Sequence, residues 1–474
     1  MEPLLLDLAV CALALLVFAA DLIMPREEKR GLAHLACAGL VLILGASFVV
    51  DLRGTSFGGA FVVDGLALWF KRIFLAAGAL ALLVAAEPSE RAFPRRQGEY
   101  YLLLLLSLLG MSLLASAREL LLVVVCFELM SLPLYVLAAF TKSDKPAGEA
   151  ALKFYLVGAA SIAITLYGLS MIYGATGTTV LFEIARQALT NSSPILLLGV
   201  FATLAGLAFK IGAVPFHMWV PDTYEGANSA FVSFLAVAPK AAGFALLVRL
   251  YLETFAPLAN RVQPALTAIC VLTLVVGNVL ALNQTNIKRL LAYSGVAQIG
   301  YMLIGLVTPG SEGLAMLLFY LAAYLFTNIG AFAVVSAVGA ATGSDEISAY
   351  RGLARRNPAL ALAMLVFLLS LGGIPFVAGF WAKMGIFLAA WHAGHTTLVF
   401  LGAGLAVVGV YYYLRVARSL YLEDPVEGAV AVKVDGAQRL ALIVSAAGVV
   451  LIGAWPRPWF DGALEAAKSL LHGS

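Results

Sequence analysis

Gly212-Ala-Val-Pro-Phe216 and Gly372-Gly-Ile-Pro-Phe376 are two copies of one short pattern, 160 residues apart, each set inside a long apolar run. Proline has no N–H to donate, so the carbonyls of Ile211 and Leu371 lose their intrahelical partners at places where glycine loosens the chain. Each run is therefore expected to be a helix that breaks near its middle. Inside a bilayer, freed backbone groups are tolerated only against protein or a water-filled cavity. A lone proline kink is ordinary packing, whereas two matched kinks, each near a lysine, point to an ion path.

The composition around these runs sets the class. Hydrophobic residues make up 62% of the chain and charged residues 12%, against about 25% charged in soluble domains. This is the signature of an all-α polytopic membrane protein. A run of about 20 apolar residues crosses a hydrocarbon core of roughly 30 Å. Fourteen such runs are present, at 3–23, 31–50, 64–86, 100–117, 119–140, 148–173, 195–216, 229–251, 264–284, 290–308, 313–340, 359–391, 397–421 and 437–456. They are numbered here as spans 1 to 14. Span 12 as written has 33 residues and would reach about 50 Å at 1.5 Å per residue, so it is expected to bend or break. The first run carries Glu2 and Asp7 and no basic n-region, and is expected to stay as a span rather than be cleaved. Cys11, Cys37, Cys126 and Cys270 stand singly, with neither disulfide nor metal spacing.

The repeated motif falls in spans 7 and 12. An odd separation of five spans turns the second copy over in the membrane, the inverted-repeat plan of many transporters. Spans 4–8 and 9–13 are the expected repeats, which divides the chain into 1–98, 99–255, 256–422 and 423–474. Of the 30 Lys and Arg residues, seventeen fall in loops after odd-numbered spans and seven on the opposite side. By the positive-inside rule both termini are expected on the outer side. A net charge of +3 is too small to imply nucleic acid as a partner; the lipid bilayer is the evident one.

Four lysines, Lys153, Lys210, Lys240 and Lys383, lie within these spans. A basic side chain at the centre of a spanning helix costs roughly 2.5–3.5 kcal/mol on insertion scales, which folding alone does not require. Lys210 lies five residues before Pro215 and Lys383 eight after Pro375. Lys240 is about 18 Å along span 8, near mid-depth, whereas Lys153 is only about 8 Å into span 6 and can reach the interface. Glu128, in Cys126-Phe-Glu-Leu-Met-Ser-Leu-Pro133, is the acid near the middle of a span. It reads either as the counter-charge of a lysine or as a neutral hydrogen-bonded helix contact. His217, just past the first break, is a candidate relay group because imidazole titrates near pH 6.5. Asp7, Asp21, Lys71 and Arg72 lie near span ends and read as interfacial anchors. The sequence has no phosphate-binding loop, no dinucleotide fingerprint and no paired cysteines or histidines for haem or iron–sulfur. Any transport is therefore expected to be driven by an ion gradient or by a partner.

The stretches Phe209-Lys-Ile-Gly-Ala-Val-Pro-Phe-His-Met-Trp-Val-Pro-Asp-Thr-Tyr-Glu-Gly226, Lys240-Ala-Ala-Gly-Phe-Ala-Leu-Leu247 and Asn286-Ile-Lys-Arg-Leu-Leu-Ala-Tyr-Ser294 resemble the antiporter-like subunits of respiratory complex I over roughly 100–420. Lys383 in span 12, Glu149-Ala-Ala-Leu-Lys153-Phe-Tyr155 and the early end after span 14 resemble chain N of NADH:quinone oxidoreductase. The resemblance implies a proton-translocating membrane-arm subunit of a bacterial cytoplasmic membrane, driven by quinone reduction elsewhere in the complex. It implies a hydrated path on which Glu128 pairs with Lys210, Lys240 bridges and Lys383 gates an exit. No cofactor is implied in this chain; flavin, iron–sulfur clusters and quinone belong to partner subunits. Two departures stand out: Asn228-Ser229-Ala230 where the family usually reads Pro-Thr-Pro, and Gln298 where chain N sequences often have histidine. A cation/proton antiporter subunit of the Mrp kind, chain M or L, a membrane-bound hydrogenase subunit and a purely structural scaffold are the other readings.

The charge split is tested with single cysteines at Ser344 and Ser474 in intact cells. An impermeant maleimide should label the one at Ser474 only; labelling at Ser344 alone reverses the orientation.

Overall fold

The computed structural model describes residues 2–25, 29, 31–141, 145–190, 193–425 and 430–471. Arg26, Arg30 and Lys142 of the charge count, and Ser474, lie outside the described residues.

Three spans come first: α1 Leu5–Ile23, α2 Gly31–Val49 and, after the hairpin β1 Gly54–Ser56 and β2 Phe61–Val63, α3 Gly65–Ala92. The next crossings are α4 Gln97–Ser116, α5 Leu120–Ala138 and α6 Lys145–Thr176, followed by the short α7 Leu181–Ala188. Span 7 is α8 Pro194–Ile211 with α9 Trp219–Gly226, and span 8 is α10 Ser229–Leu235 with α11 Ala238–Arg249. Then come α12 Ala259–Ala281, α13 Ile287–Val307, α14 Ser311–Thr342 and the short α15 Leu353–Arg356. Span 12 is α16 Pro358–Gly372 with α17 Ala378–His392, and α18 Thr396–Tyr421, α19 Gly436–Ala454 and α20 Arg457–Leu471 complete the chain.

The helix starts are written in the sequence. Asp64, Glu119, Ser193, Asn286, Asn357 and Asp435 each accept a backbone N–H of the first turn of the helix that follows, satisfying donors that a helix leaves free. Pro194 and Pro358 open α8 and α16, where a missing N–H costs nothing.

Thirteen helices of the described residues are long and apolar enough to cross a membrane. The fourteenth crossing is the broken pair α16 and α17, whose halves have 15 residues each. Span 8 is also interrupted, which the sequence reading did not expect. Pro239 cannot bond the carbonyl of Leu235, and α10 ends at that residue.

Ion pairs sort the loops onto two faces. On one, Asp222 pairs with Lys153 and Arg289, Lys288 with Asp345, and Arg351 with Glu423. On the other, Asp64 pairs with Arg118 and Arg249, and Arg53 with Glu465. The end of α9 and the start of α16 share the first face, so the two broken spans cross in opposite directions.

The centre of the bundle is spans 8, 10 and 11. The apolar windows of spans 8 and 10 are 100% buried and that of span 11 is 94% buried, whereas spans 1, 2, 6, 9 and 13 are at most 39% buried. Close packing there depends on glycine. A Cβ on Gly277 of α12 would sit 2.5 Å from the backbone nitrogen of Ala297 on α13, the close backbone approach typical of membrane helix pairs.

Gly277→Val should therefore separate α12 from α13 at a cost of about 1–3 kcal/mol from overpacking. Native gels should then find less assembled protein. Gly404→Val, whose Cβ meets nothing within 4 Å, should assemble normally, and equal behaviour of the two refutes the packing assignment.

Candidate functional site

Both breaks use the same cap. Gly212 and Gly373 adopt left-handed φ values of 79° and 78°. Their N–H groups donate to Phe209 and Ser370, and those of Ala213 and Ile374 donate to Ala208 and Leu369, the two bonds of a Schellman motif. The structural equivalent of Gly212 is thus Gly373 rather than Gly372, one residue out of register with the sequence match. Each cap leaves the last carbonyls of a half-helix open at mid-bundle, with the partial negative charge of a helix C-terminus.

Lysine occupies both ends. Lys210 is in the last turn of α8 and is 3% exposed. Its Nζ donates to Ser131 Oγ at 2.8 Å and lies 5.1 Å from the Phe127 ring centroid. Glu128, one turn from Ser131 on α5, is half-buried and forms no ion pair with Lys210, although the two charges act on each other. The expected Glu128–Lys210 ion pair is thus not formed in this structure, where Lys210 donates to Ser131, whose own hydroxyl donates to Phe127 O. Lys383, on α17, donates to the carbonyls of Leu371 at 2.8 Å and Gly372 at 3.3 Å, which are the open end of α16. Its ammonium also lies 4.6 Å from the Tyr301 ring centroid. The cation and the helix end stabilise one another, an effect worth up to about 2 kcal/mol when partly buried. In the first break the corresponding donor is neutral: Trp219 Nε1 bonds Phe209 O at 3.0 Å.

Lys240 has no such end to cap. It stands in the first turn of α11, is 2% exposed, and no protein atom accepts from its Nζ. The Tyr224 ring lies 5.3 Å from it. The position a Cβ on Gly295 would take is 3.0 Å from Lys240 Nζ and 3.1 Å from Tyr324 OH. The hydroxyls of Tyr224 and Tyr324 are buried without protein partners as well. Lys240 Nζ and the two hydroxyls are thus three buried polar groups without a protein partner, the kind of group that ordered water satisfies.

Next to these groups a hydrogen-bonded line runs toward Lys383. Ser294, next to Gly295, is hydrogen-bonded to Tyr413 OH. Gln298 Nε2 donates to Tyr413 OH at 3.0 Å and to Leu371 O at 3.0 Å, and Tyr320 donates to Gln298 Oε1. Gln298 and Lys383 thus meet on one carbonyl. The residue that departs from the family pattern is the hub of the second half.

The remaining candidates fall elsewhere. Lys153 is about half exposed on the face, paired with Glu149 at 2.9 Å and Asp222 at 3.1 Å, and is not brought into the buried line. His217 lies between α8 and α9, with Nδ1 buried and unpartnered and its ring 6.4 Å from that of Tyr293. Asp7 and Lys71 are not interfacial anchors: they form a buried ion pair at 2.6 Å, with Ser112 donating to the same carboxylate. Tertiary packing brought α1, α3 and α4 together there, which no span-end count reveals. Among the described residues no cluster of His, Cys, Asp or Glu could hold a metal. Ser131, Ser294, Tyr320, Tyr324 and Tyr413 went unremarked in the sequence. Tyr320 and Tyr324 are spaced to share one helix face, the signal that was available.

A bundle with two oppositely directed broken helices, each ending at a buried lysine, is the architecture of an antiporter-like membrane subunit. Residues 117–409 match the family described as NADH:quinone oxidoreductase/Mrp antiporter, TM. The chain is 43% identical to NADH-quinone oxidoreductase subunit N of Moorella thermoacetica over 97% of both chains. It is 44% identical to that of Heliobacterium modesticaldum over 94% of both. A chain of respiratory complex I from Thermus thermophilus, solved with bound aureothin, superposes with a TM-score of 0.82 at 34% identity, covering 96% of this chain and 98% of that one. A chain of the Mrp complex from Dietzia shares the fold, with a TM-score of 0.87 at 20% identity, covering 100% of this chain and 98% of its own. The chain belongs to the NADH:quinone oxidoreductase/Mrp antiporter transmembrane family.

Gln298→Leu would strand the Tyr320 hydroxyl, at about 1–3 kcal/mol, and remove one donor each from Tyr413, which keeps Ser294, and Leu371 O, which keeps Lys383. Proton uptake per electron in vesicles should fall, while Gln298→His, which keeps a donor, should retain most of it. Unchanged uptake with Gln298→Leu removes this residue from the path.

Proposed function

We propose that this chain is a proton-translocating membrane-arm subunit of an NADH:quinone oxidoreductase, and that Glu128, Lys210, Lys240 and Lys383 carry the proton. The observation that carries the reading is the buried line of three lysines, one in the last turn before the first break, one capping the helix end at the second, and one facing unpaired hydroxyls. A proton held on Lys210 passes through water to Lys240 and through water on to Lys383, along a path that Ser294, Tyr413 and Gln298 line and hold in place. Glu128 acts by its charge on Lys210, so a small movement of α5 changes which lysine holds the proton. His217 lies beside the first break and serves the water around it; Lys153 holds the rim through Asp222. The subunit does no redox chemistry itself, and electrons, flavin, iron–sulfur clusters and quinone belong to partners in the arm. It sits in the cytoplasmic membrane with both termini outside, and spans 4–8 and 9–13 act as two inverted half-channels flanked by spans 1–3 and 14. The identity to subunits named N favours this over the Mrp reading, for which the Dietzia likeness supports the fold alone.

The reading orders substitutions by charge rather than by size. Lys210→Met and Lys240→Met should abolish most proton uptake in reconstituted vesicles with the complex assembled. Lys240→Arg should fail too because a guanidinium does not release its proton, and Glu128→Asp should be milder than Glu128→Gln. Normal uptake by an assembled Lys240→Met complex eliminates the relay, and sodium-dependent exchange without quinone reduction would instead favour the Mrp reading.

A further inference from the structure

Lys71 and Arg72 are neighbours in α3 with opposite fates. Lys71 is neutralised by Asp7. Arg72, about 10 Å along the helix from Gly65, is half-buried and has no carboxylate within ion-pair distance among the described residues. Its guanidinium stacks on Phe48 at 4.0 Å, with Nη2 donating to Ser47 O at 2.6 Å and Nε to Ser47 Oγ at 3.2 Å. Arginine has five donor hydrogens, and Nη1 has no hydrogen-bond partner among the described residues. Arg53 adds a second positive charge nearby, and the closest acid, Glu465, is already bound to it at 2.8 Å.

This guanidinium lines a crevice of about 520 Å³ walled by Leu44, Phe48, Trp69, Ile73, Phe326 and Trp459, from α2, α3, α14 and α20. Apart from Arg72 these are apolar walls with two tryptophans, residues that favour the membrane interface. An apolar slot with an uncompensated cation is complementary to an amphiphile carrying an anion at one end. Guanidinium binds phosphate oxygens through paired hydrogen bonds. A carboxylate from another subunit would satisfy the charge but leave the slot unfilled.

We propose that this crevice binds one membrane phospholipid, its phosphodiester on Arg72 and an acyl chain lying between Trp69 and Trp459. The bound lipid neutralises Arg72 and seals α20 against spans 2, 3 and 11. The site is separate from the lysine line, so it holds the subunit together without touching the proton.

The test uses the whole complex purified in mild detergent, with phospholipids per complex counted by native mass spectrometry. Arg72→Gln and Ala76→Phe, which fills the crevice from α3, should each lose one tightly held phospholipid relative to wild type, while quinone reduction is unchanged. In wild-type complex in vesicles, a phospholipid with a photoreactive acyl chain should label Trp69 or Trp459, a readout that does not depend on a variant assembling. Equal phospholipid counts in all three proteins overturn the proposal. So does loss in Arg72→Gln alone, which makes it a charge site without a chain slot, and so does photolabelling that misses the crevice or a partner polypeptide crosslinked there in its place.

Discussion

A backbone carbonyl stranded in the middle of a bilayer must find a donor, and the rest of this structure follows from how two helices meet that demand. The Schellman caps at Gly212 and Gly373 end α8 and α16 at mid-bundle and leave open carbonyls there. Hydrocarbon offers no donor. A buried ammonium has the complementary problem, since its three donors need acceptors that hydrocarbon also lacks. Lys383 on Leu371 and Gly372 answers both needs at once. The broken helices and the buried lysines are one feature seen from two sides.

The two halves of the molecule resolve the same constraint differently. In the first, the neutral indole of Trp219 takes Phe209 O, and Lys210 turns to Ser131, near Glu128. In the second, the carbonyl end is held by the charge of Lys383 and by Gln298. A lysine free of the helix end can respond to a nearby carboxylate; a lysine bound to it is held in place. Lys240 lies between them with no protein acceptor. It is the group whose charge state depends most on water.

Spans, breaks and lysines were legible in the sequence because each is a local signal: apolar run length, Gly and Pro within it, and charge where hydrocarbon forbids charge. The inverted arrangement followed from counting spans between Pro215 and Pro375. Less legible was anything set by contact between spans. Asp7 and Lys71 are 64 positions apart and look like two span-end anchors until α1 packs on α3. Tyrosine in an apolar run reads as core, so nothing in the sequence showed that the hydroxyls of Tyr224 and Tyr324 would be buried without a protein partner, or that Tyr413 would bond Ser294 and Gln298. The break at Pro239 lay in plain view, one residue before Lys240 near mid-depth, but no glycine precedes it as Gly212 and Gly372 precede Pro215 and Pro375. The resemblance paired Glu128 with Lys210, yet Lys210 donates to Ser131 instead, a matter of rotamers that no spacing rule contains.

The central claim is that Lys240, Tyr224 and Tyr324 enclose water that joins the two halves of the lysine line. The most direct measurement is a structure of the assembled complex at a resolution that shows ordered water. The account predicts water within hydrogen-bond distance of both Lys240 Nζ and Tyr324 OH, continuing to Lys210 on one side and Ser294 on the other. A dry contact, with apolar side chains packed against the Lys240 amine and no water between it and Tyr324, would contradict it.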